Sequence, residues 1–521
     1  MLTHLFALLL GLALPLAAQE PPTLRVFLLA GQSNMEGHGV VDLDDARDYN
    51  GGRGTLAAFL RTAEGQSGWK DLQREDGAFA TRDDVFVTYR TMNGERKCGA
   101  LSIGFAVYGG RHHLGPELGI GRALGEHCVE PVLLVKTAWG GKSLDRDFRP
   151  PSAGGEVGPF YRQMLAEYRE ALSQLAVDHP QLAKHRPRLD GFLWFQGWND
   201  ACEDAATKSY AQNLAHLIAD LRAEFADPEL PFVVGETGNW DGEEFRSAQR
   251  AGCYAPAIVA HTRFVATRHF LRKAEDSPNT THGHHWYGNG ESYLKIGDAL
   301  GRAMAGLLRS RTPPAIPERA NPRRWSETLD AFDREAVPPR RPIVFVGSSS
   351  IRLWKTLADD LAPLPVLNRG FGGSGIFDTI YWLERLVARH DPAAVVVFAG
   401  SNDLAGEAPR SATWVAERFD ELVLRLRALG CSAPLVYISI TPAPSRVAHL
   451  AAVREANALI AARCARDPSL HFLDTAATMV DANGQPDPQW FVQDLLHLNA
   501  KGYAHWTSQL RPLLEKLSLP R

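Results

Sequence analysis

The chain contains one architecture twice, and this internal repeat restricts its fold more than any other feature. LRVFLLAGQSN near the start parallels RPIVFVGSSS past the middle, LLVKTAWGGKS parallels PVLNRGFGGSG, and GFLWFQGWND parallels VVVFAGSND. Each half then closes on a His-bearing segment followed by a helix-forming stretch. Matched blocks in one order are the mark of a duplicated unit. The first copy carries an insertion, Leu43 to Gly115, between its first two blocks.

Within each copy, short apolar runs alternate with amphipathic stretches. PVLLVKTA, LDGFLWFQ and PFVVGE in the first half, and PIVFVG, AAVVVFAG, APLVYISI and LHFLD in the second, are near-continuous apolar runs. FYRQMLAEYREALSQL, YLKIGDALGRAMAGLL, FDTIYWLERLVARH and VAERFDELVLRLRAL have helical apolar spacing. The alternation predicts an α/β fold: parallel sheets covered by helices on both faces. A Pro/Arg-rich stretch, residues 311–324, separates the copies and reads as a linker. The expected domains are therefore residues 20–310 and 325–521. Trp325, Leu329 and Phe332 have the spacing of a leading helix on the second domain.

Leu5 to Ala18 is an apolar run of leader length ending in small residues before Gln19, although its start lacks Lys and Arg. Residues 1–19 are read as an export signal, giving a secreted or periplasmic protein with no membrane span after cleavage. A net charge of −4 gives no footprint for nucleic acid. None of the six cysteines has CxxC spacing, and Cys431 with Cys464 is the sole pair possible inside the second domain.

The second copy carries the clearer chemistry. Ser349 directly follows the run PIVFV, at the strand end where α/β folds bind ligands. Asp494 precedes His497 by three residues, a spacing that lets the carboxylate reach Nδ1 and leaves Nε2 to deprotonate a serine. Gly373 can bring a backbone N–H to a developing oxyanion, and Asn402 can add an amide N–H. These blocks resemble the SGNH (GDSL-type) hydrolases, from about Trp325 to Leu517. The resemblance implies a flavodoxin-like three-layer α/β/α sandwich, Ser349 as nucleophile, Asp494 and His497 as acid and base, and Gly373 and Asn402 in the oxyanion hole. The family's Asp before the serine is Ser348 here.

In the first copy, GQSNM, the GGKS turn, WFQGWND and HWYGN resemble the carbohydrate esterase family 6 and sialate O-acetylesterase group, over about Leu24 to Leu308. This implies a second domain of the same fold, Ser33 as nucleophile, Gly141 and Asn199 as oxyanion donors, and His285 as base. Two positions depart from the pattern. His282 stands where a carboxylate is usual, so the acid is open: Asp276, a more distant carboxylate, or a dyad oriented by a backbone carbonyl. QGWN replaces the family's QGES, placing Trp198 where a glutamate is usual. HGHH lacks a carboxylate at ligand spacing, so neither a metal nor another cofactor is expected. Trp139, Trp194, Trp198 and Trp286 lie near the blocks, and one or two are expected to face the cleft as a floor for sugar rings.

The combined expectation is a carbohydrate O-acetylesterase with one site per domain and an acetylated carbohydrate as partner. Two alternatives are a lipid esterase or thioesterase in the second domain, and a domain that only binds glycan.

Overall fold

The computed structural model describes residues 20–406 and 408–517. The expected leader, residues 1–19, lies outside the described residues. The first copy forms β1 (Thr23–Gly31), β2 (Gly39–Val40), β3 (Val85–Arg90), β4 (Arg96–Ala100), β5 (His113–Leu114), β6 (Val132–Ala138), β7 (Arg186–Phe195), β8 (Phe232–Gly235) and β9 (Thr262–Val265). The second forms β10 (Ile343–Gly347), β11 (Val366–Gly370), β12 (Ala394–Phe398), β13 (Leu435–Ile438) and β14 (Leu470–Leu473). Strand order is β4-β3-β6-β1-β7-β8-β9 in the first sheet and β11-β10-β12-β13-β14 in the second. Five strands of the first sheet, β6-β1-β7-β8-β9, thus repeat the connectivity of the whole second sheet, as the sequence blocks require.

The apolar runs become strands because both faces of each sheet are covered. Along β1, Val26, Leu28 and Ala30 enter one core with Trp194 and Tyr210, while Phe27 and Leu29 enter the other with Leu134 and Leu300. In β10, Ile343 and Phe345 pack beside Trp354 and Trp506, and Val344 and Val346 beside Phe419 and Tyr437. The strand period of two therefore feeds alternate side chains to two helical layers. Each copy is a three-layer α/β/α sandwich.

Two features depart from the sequence expectation. First, the inserted segment adds two strands, β3 and β4, to the first sheet, and these two pair antiparallel. The β4 sequence, RKCGA, is half-exposed along its length, so it carries none of the apolar continuity of the buried strands. Second, FDTIYWLERLVARH is not one helix but Ile376–Tyr381, Leu383–Leu386 and a tight turn at Ala388–His390. The break falls at Trp382, whose Nε1 donates to the Pro322 carbonyl at 2.9 Å, and Arg389 turns to Asp333 at 2.7 Å. Tertiary contacts override local helical spacing there. The cysteine pairing, left open by the sequence, resolves to free thiols: Cys431, Cys464 and Cys253 are all buried and unpaired.

The linker stretch ends in a tight turn at Pro322–Trp325 and helix Ser326–Asp333. Leu329 is buried in the second core, and the Trp325 ring meets Phe371 edge-on at 5.5 Å. The domains touch directly: Arg250 donates to the Pro339 carbonyl at 2.8 Å, and Tyr254 hydrogen-bonds His390 at 3.1 Å. Among the described residues, no helix is long and apolar enough to cross a membrane.

Candidate active sites

In the second copy, β10 ends at Gly347, and Ser349 opens the short helix Ser349–Arg352 at the carboxyl edge of the sheet. His497 arrives from the loop before the last helix. That loop is closed on itself: Phe491 bridges Leu498, and the Val492 N–H donates to the His497 carbonyl at 2.9 Å. Asn499 caps helix Ala500–Lys516 by accepting from Gly502 N–H, and its amide holds the Phe491 carbonyl at 3.0 Å. The result is a chain of short polar contacts. His497 Nε2 lies 2.8 Å from Ser349 Oγ, and His497 Nδ1 lies 2.6 Å from Asp494 Oδ2. Asp494 Oδ1 also accepts the N–H groups of Leu496 and His497, each at 2.9 Å. Burial pushes the Asp494 carboxyl up, but these donors and His497 outweigh it and hold it at about 2.

Gly373 has φ +82°, and a Cβ there would touch only the Trp325 ring, at 3.6 Å. The turn thus needs glycine for its backbone, not for space. Asn402 donates one amide hydrogen to the Ser374 carbonyl at 3.0 Å, and its oxygen accepts from Arg446 Nη2 at 2.8 Å. Both contacts fix which way the amide faces and leave its second hydrogen available. Beside it, Asp403 accepts the Ile376 N–H at 3.0 Å, and burial pushes its carboxyl up to about 6.

The first copy repeats much of this frame. Ser33 opens helix Ser33–Glu36 after β1. Gly141 has φ +73°, with nothing within 4 Å of a built Cβ. Asn199 is held by Gln32, whose Nε2 donates to Asn199 Oδ1 at 3.0 Å and whose Oε1 accepts the Gly197 N–H at 3.0 Å. Asp200, the counterpart of Asp403, accepts the N–H groups of Leu144 at 2.9 Å and Asp145 at 2.8 Å, and burial pushes it up to about 6. Each Asn-Asp pair therefore uses its carboxylate to pin the glycine turn opposite. Arg446, Gln32, Asp200 and Asp403 were not singled out from the sequence. The ND dipeptide common to both copies was the available signal for the two aspartates.

The histidine end differs between the copies. The His285 ring stacks on His38, centroids 3.7 Å apart and planes 13° from parallel. It hydrogen-bonds neither Ser33 nor any carboxylate among the described residues. Asp276 is exposed in the turn Ala274–Asp276 and makes no contact with it. Burial, with His284 and His282 nearby, pushes His285 down to about 3. The segment itself is anchored through its backbone. Asn34 and Asn239 donate to the His284 carbonyl at 3.1 and 2.6 Å, and Tyr293 donates to Asn34 at 2.8 Å. Trp139, Trp194 and Trp286 are fully buried core residues. Trp198 is half-buried, and its ring lies 5.9 Å from Trp240, an exposed residue that the motif blocks do not include.

Two family models match the chain, one in each copy. Residues 23–305 match the family model for carbohydrate esterase, sialic acid-specific acetylesterase. The chain belongs to that family. Residues 344–505 of this esterase match a second model, the GDSL-like lipase/acylhydrolase family. The esterase is 28% identical over 205 residues to platelet-activating factor acetylhydrolase IB subunit alpha1 of Homo sapiens, a match covering 37% of this chain and 84% of that protein. Among solved structures it resembles a carbohydrate acetylesterase from Xanthomonas citri, with 16% identity and TM-score 0.34, covering 57% of this chain and 60% of that one. It also resembles a GDSL-like lipase from Bacteroides thetaiotaomicron, with 22% identity and TM-score 0.32, covering 38% of this chain and 98% of that one. The protein is a carboxylic ester hydrolase with two three-layer α/β/α domains in tandem.

Proposed function

We propose that this esterase is exported, acts on acetylated carbohydrates by an acyl-serine mechanism, and holds one active site in each domain. The observation that carries the reading is the continuous contact from Asp494 through His497 to Ser349, at 2.6 and 2.8 Å, facing Gly373 and Asn402. Asp494 keeps the His497 proton on Nδ1, so Nε2 is the free base. Ser349 Oγ attacks the acetyl carbonyl while His497 Nε2 takes its proton. The oxyanion is met by the Gly373 N–H, the free Asn402 amide hydrogen and the Ser349 N–H. Collapse expels the sugar oxygen, which receives the proton from His497. Water then gives a proton to His497 and attacks the acetyl-serine, releasing acetate and restoring Ser349.

Ser33, Gly141, Asn199 and His285 fill the same roles in the first domain. A second reading, glycan binding without turnover, draws support there from one observation: among the described residues His285 hydrogen-bonds no carboxylate and no serine hydroxyl. Export rests on the leader-like residues 1–19, and no role for nucleic acid or a membrane is proposed. The test is to assay Ser33→Ala and Ser349→Ala separately on acetylated xylan, pectin and acetylated sialic acid, beside p-nitrophenyl acetate. Each substitution is expected to remove one component of the activity. Full activity after Ser33→Ala favours the binding reading for the first domain, and full activity in both variants overturns the esterase sites altogether.

A further inference from the structure

The Ser349 cleft is open, about 530 Å³, and two arginines line it with Trp325, Gly373, Asn402 and His497. No acidic side chain lines it among the described residues. The two cations, Arg352 and Arg446, are set there by different means. Arg352 ends the nucleophile helix and lies across the glycine turn: a Cβ on Gly372 would fall 2.6 Å from its Nε and 3.2 Å from its Nη2. The missing side chain at Gly372 is what lets the guanidinium rest beside the oxyanion turn. Arg446 is half-buried and donates to two neutral acceptors, Ser401 Oγ at 2.7 Å and Asn402 Oδ1 at 2.8 Å.

Neither arginine forms an ion pair among the described residues. The nearby carboxylates are engaged elsewhere. Asp494 is taken by His497, Asp403 by the Ile376 N–H, and Asp378 by the Gly375 N–H at 2.9 Å with Arg324 at 3.7 Å. Desolvating a guanidinium against neutral acceptors costs free energy with no opposite charge to offset it, and burial pushes Arg446 down accordingly. A planar fork of this kind suits a carboxylate or phosphate brought in by a ligand.

We propose that the Ser349 site acts on esters whose alcohol portion carries an anionic group, a sugar carboxylate or a phosphate, held by Arg352 and Arg446. This rests on the reading of Ser349 as an esterase nucleophile and names the substrate class of that site. The bonds made and broken are those already described, and the anion serves only to place the ester.

The test uses the full chain carrying Ser33→Ala, so that only the second site turns over. Kinetics are measured on an acetylated methyl hexuronoside and its uncharged methyl ester, and on an acetylated sugar phosphate and the same sugar without phosphate. The anionic member of at least one pair is expected to have a kcat/KM about tenfold higher at low ionic strength, with the gap narrowing as salt is added. The pair that shows the gap identifies the anion. Arg352→Gln is expected to shrink that ratio, and Arg352→Lys to restore part of it. Equal kcat/KM within both pairs overturns the proposal, as does a ratio unchanged by Arg352→Gln. Hydrolysis of p-nitrophenyl acetate by the Ser33→Ala chain, lost on adding Ser349→Ala, is the separate control. If that control fails, the esterase reading fails; if it succeeds and the ratios are unity, only the anion proposal fails.

Discussion

The second site depends on Asp494 more than its position on an exposed loop suggests. Its two oxygens satisfy two backbone N–H groups and His497 Nδ1, so one side chain shapes the loop and fixes the tautomer. Asp494→Asn keeps the shape but presents an amide hydrogen or a neutral oxygen to the imidazole. Its kcat is expected to fall on the order of 10³-fold or more with little change in KM, measured in the Ser33→Ala background. Because the carboxyl is held at about 2, acid loss of activity is not expected from Asp494 itself. Asp403 behaves oppositely. Its folded-state value of about 6 lies above the ordinary 3.8, so its protonated form favours the folded state. That contribution is fully present below the ordinary value and is lost as pH rises through about 6. Asp403→Asn is therefore expected to flatten the pH dependence of Tm between the two values, read from melts of both proteins across that window.

At the level of elements, the glycine turn after β11 does the most with the least. Its φ of +82° at Gly373 is a conformation glycine adopts without strain, the residue lines the cleft, and the space beside it is open. Gly373→Ala is expected to cost about 1–2 kcal/mol of backbone strain and to lower kcat roughly tenfold to a hundredfold, seen by denaturant melts and single-site kinetics. The central strands β1, β10 and β12 were legible in the sequence because a strand covered on both faces is apolar at nearly every position. β4 was not legible, because an edge strand with half-exposed RKCGA has no such constraint. The break at Trp382 was equally hidden, since it comes from a contact with Pro322 distant in sequence. Ser349, Gly373, Asn402, Asp494 and His497 could be singled out because each sits at a strand end or in a short local pattern, whereas Arg446 and Asp403 beside Asn402 could not. The environment of His285 was not: its closest ring, His38, lies far away in sequence, and no local spacing encodes that stack.

Across the whole molecule, residues 311–324 read as linker, yet an arginine beyond them, in the stretch VPPRRP at 337–342, also joins the domains. Arg340 reaches from VPPRRP into the first domain and pairs with Glu236, a fully buried carboxylate at the end of β8. Glu236 also accepts the N–H groups of Thr267 and Arg268, at 2.8 and 3.1 Å. Removing Arg340 leaves the buried carboxylate with Arg246 at 3.9 Å and its two backbone donors, at a cost of about 1–3 kcal/mol. Arg340→Ala is expected to loosen the junction and to split a single calorimetric transition into two, one per domain. The same duplication gives the chain two candidate serines, Ser33 and Ser349, each after the first strand of its copy. The most direct measurement is peptide mapping after treating the full chain with a fluorophosphonate, which forms a stable adduct only on an activated serine. The account predicts adducts on the peptides containing Ser349 and Ser33, with Ser349 reacting faster because its histidine is already in contact. A protein that stays unmodified at Ser349, while remaining able to hydrolyse p-nitrophenyl acetate, would contradict it.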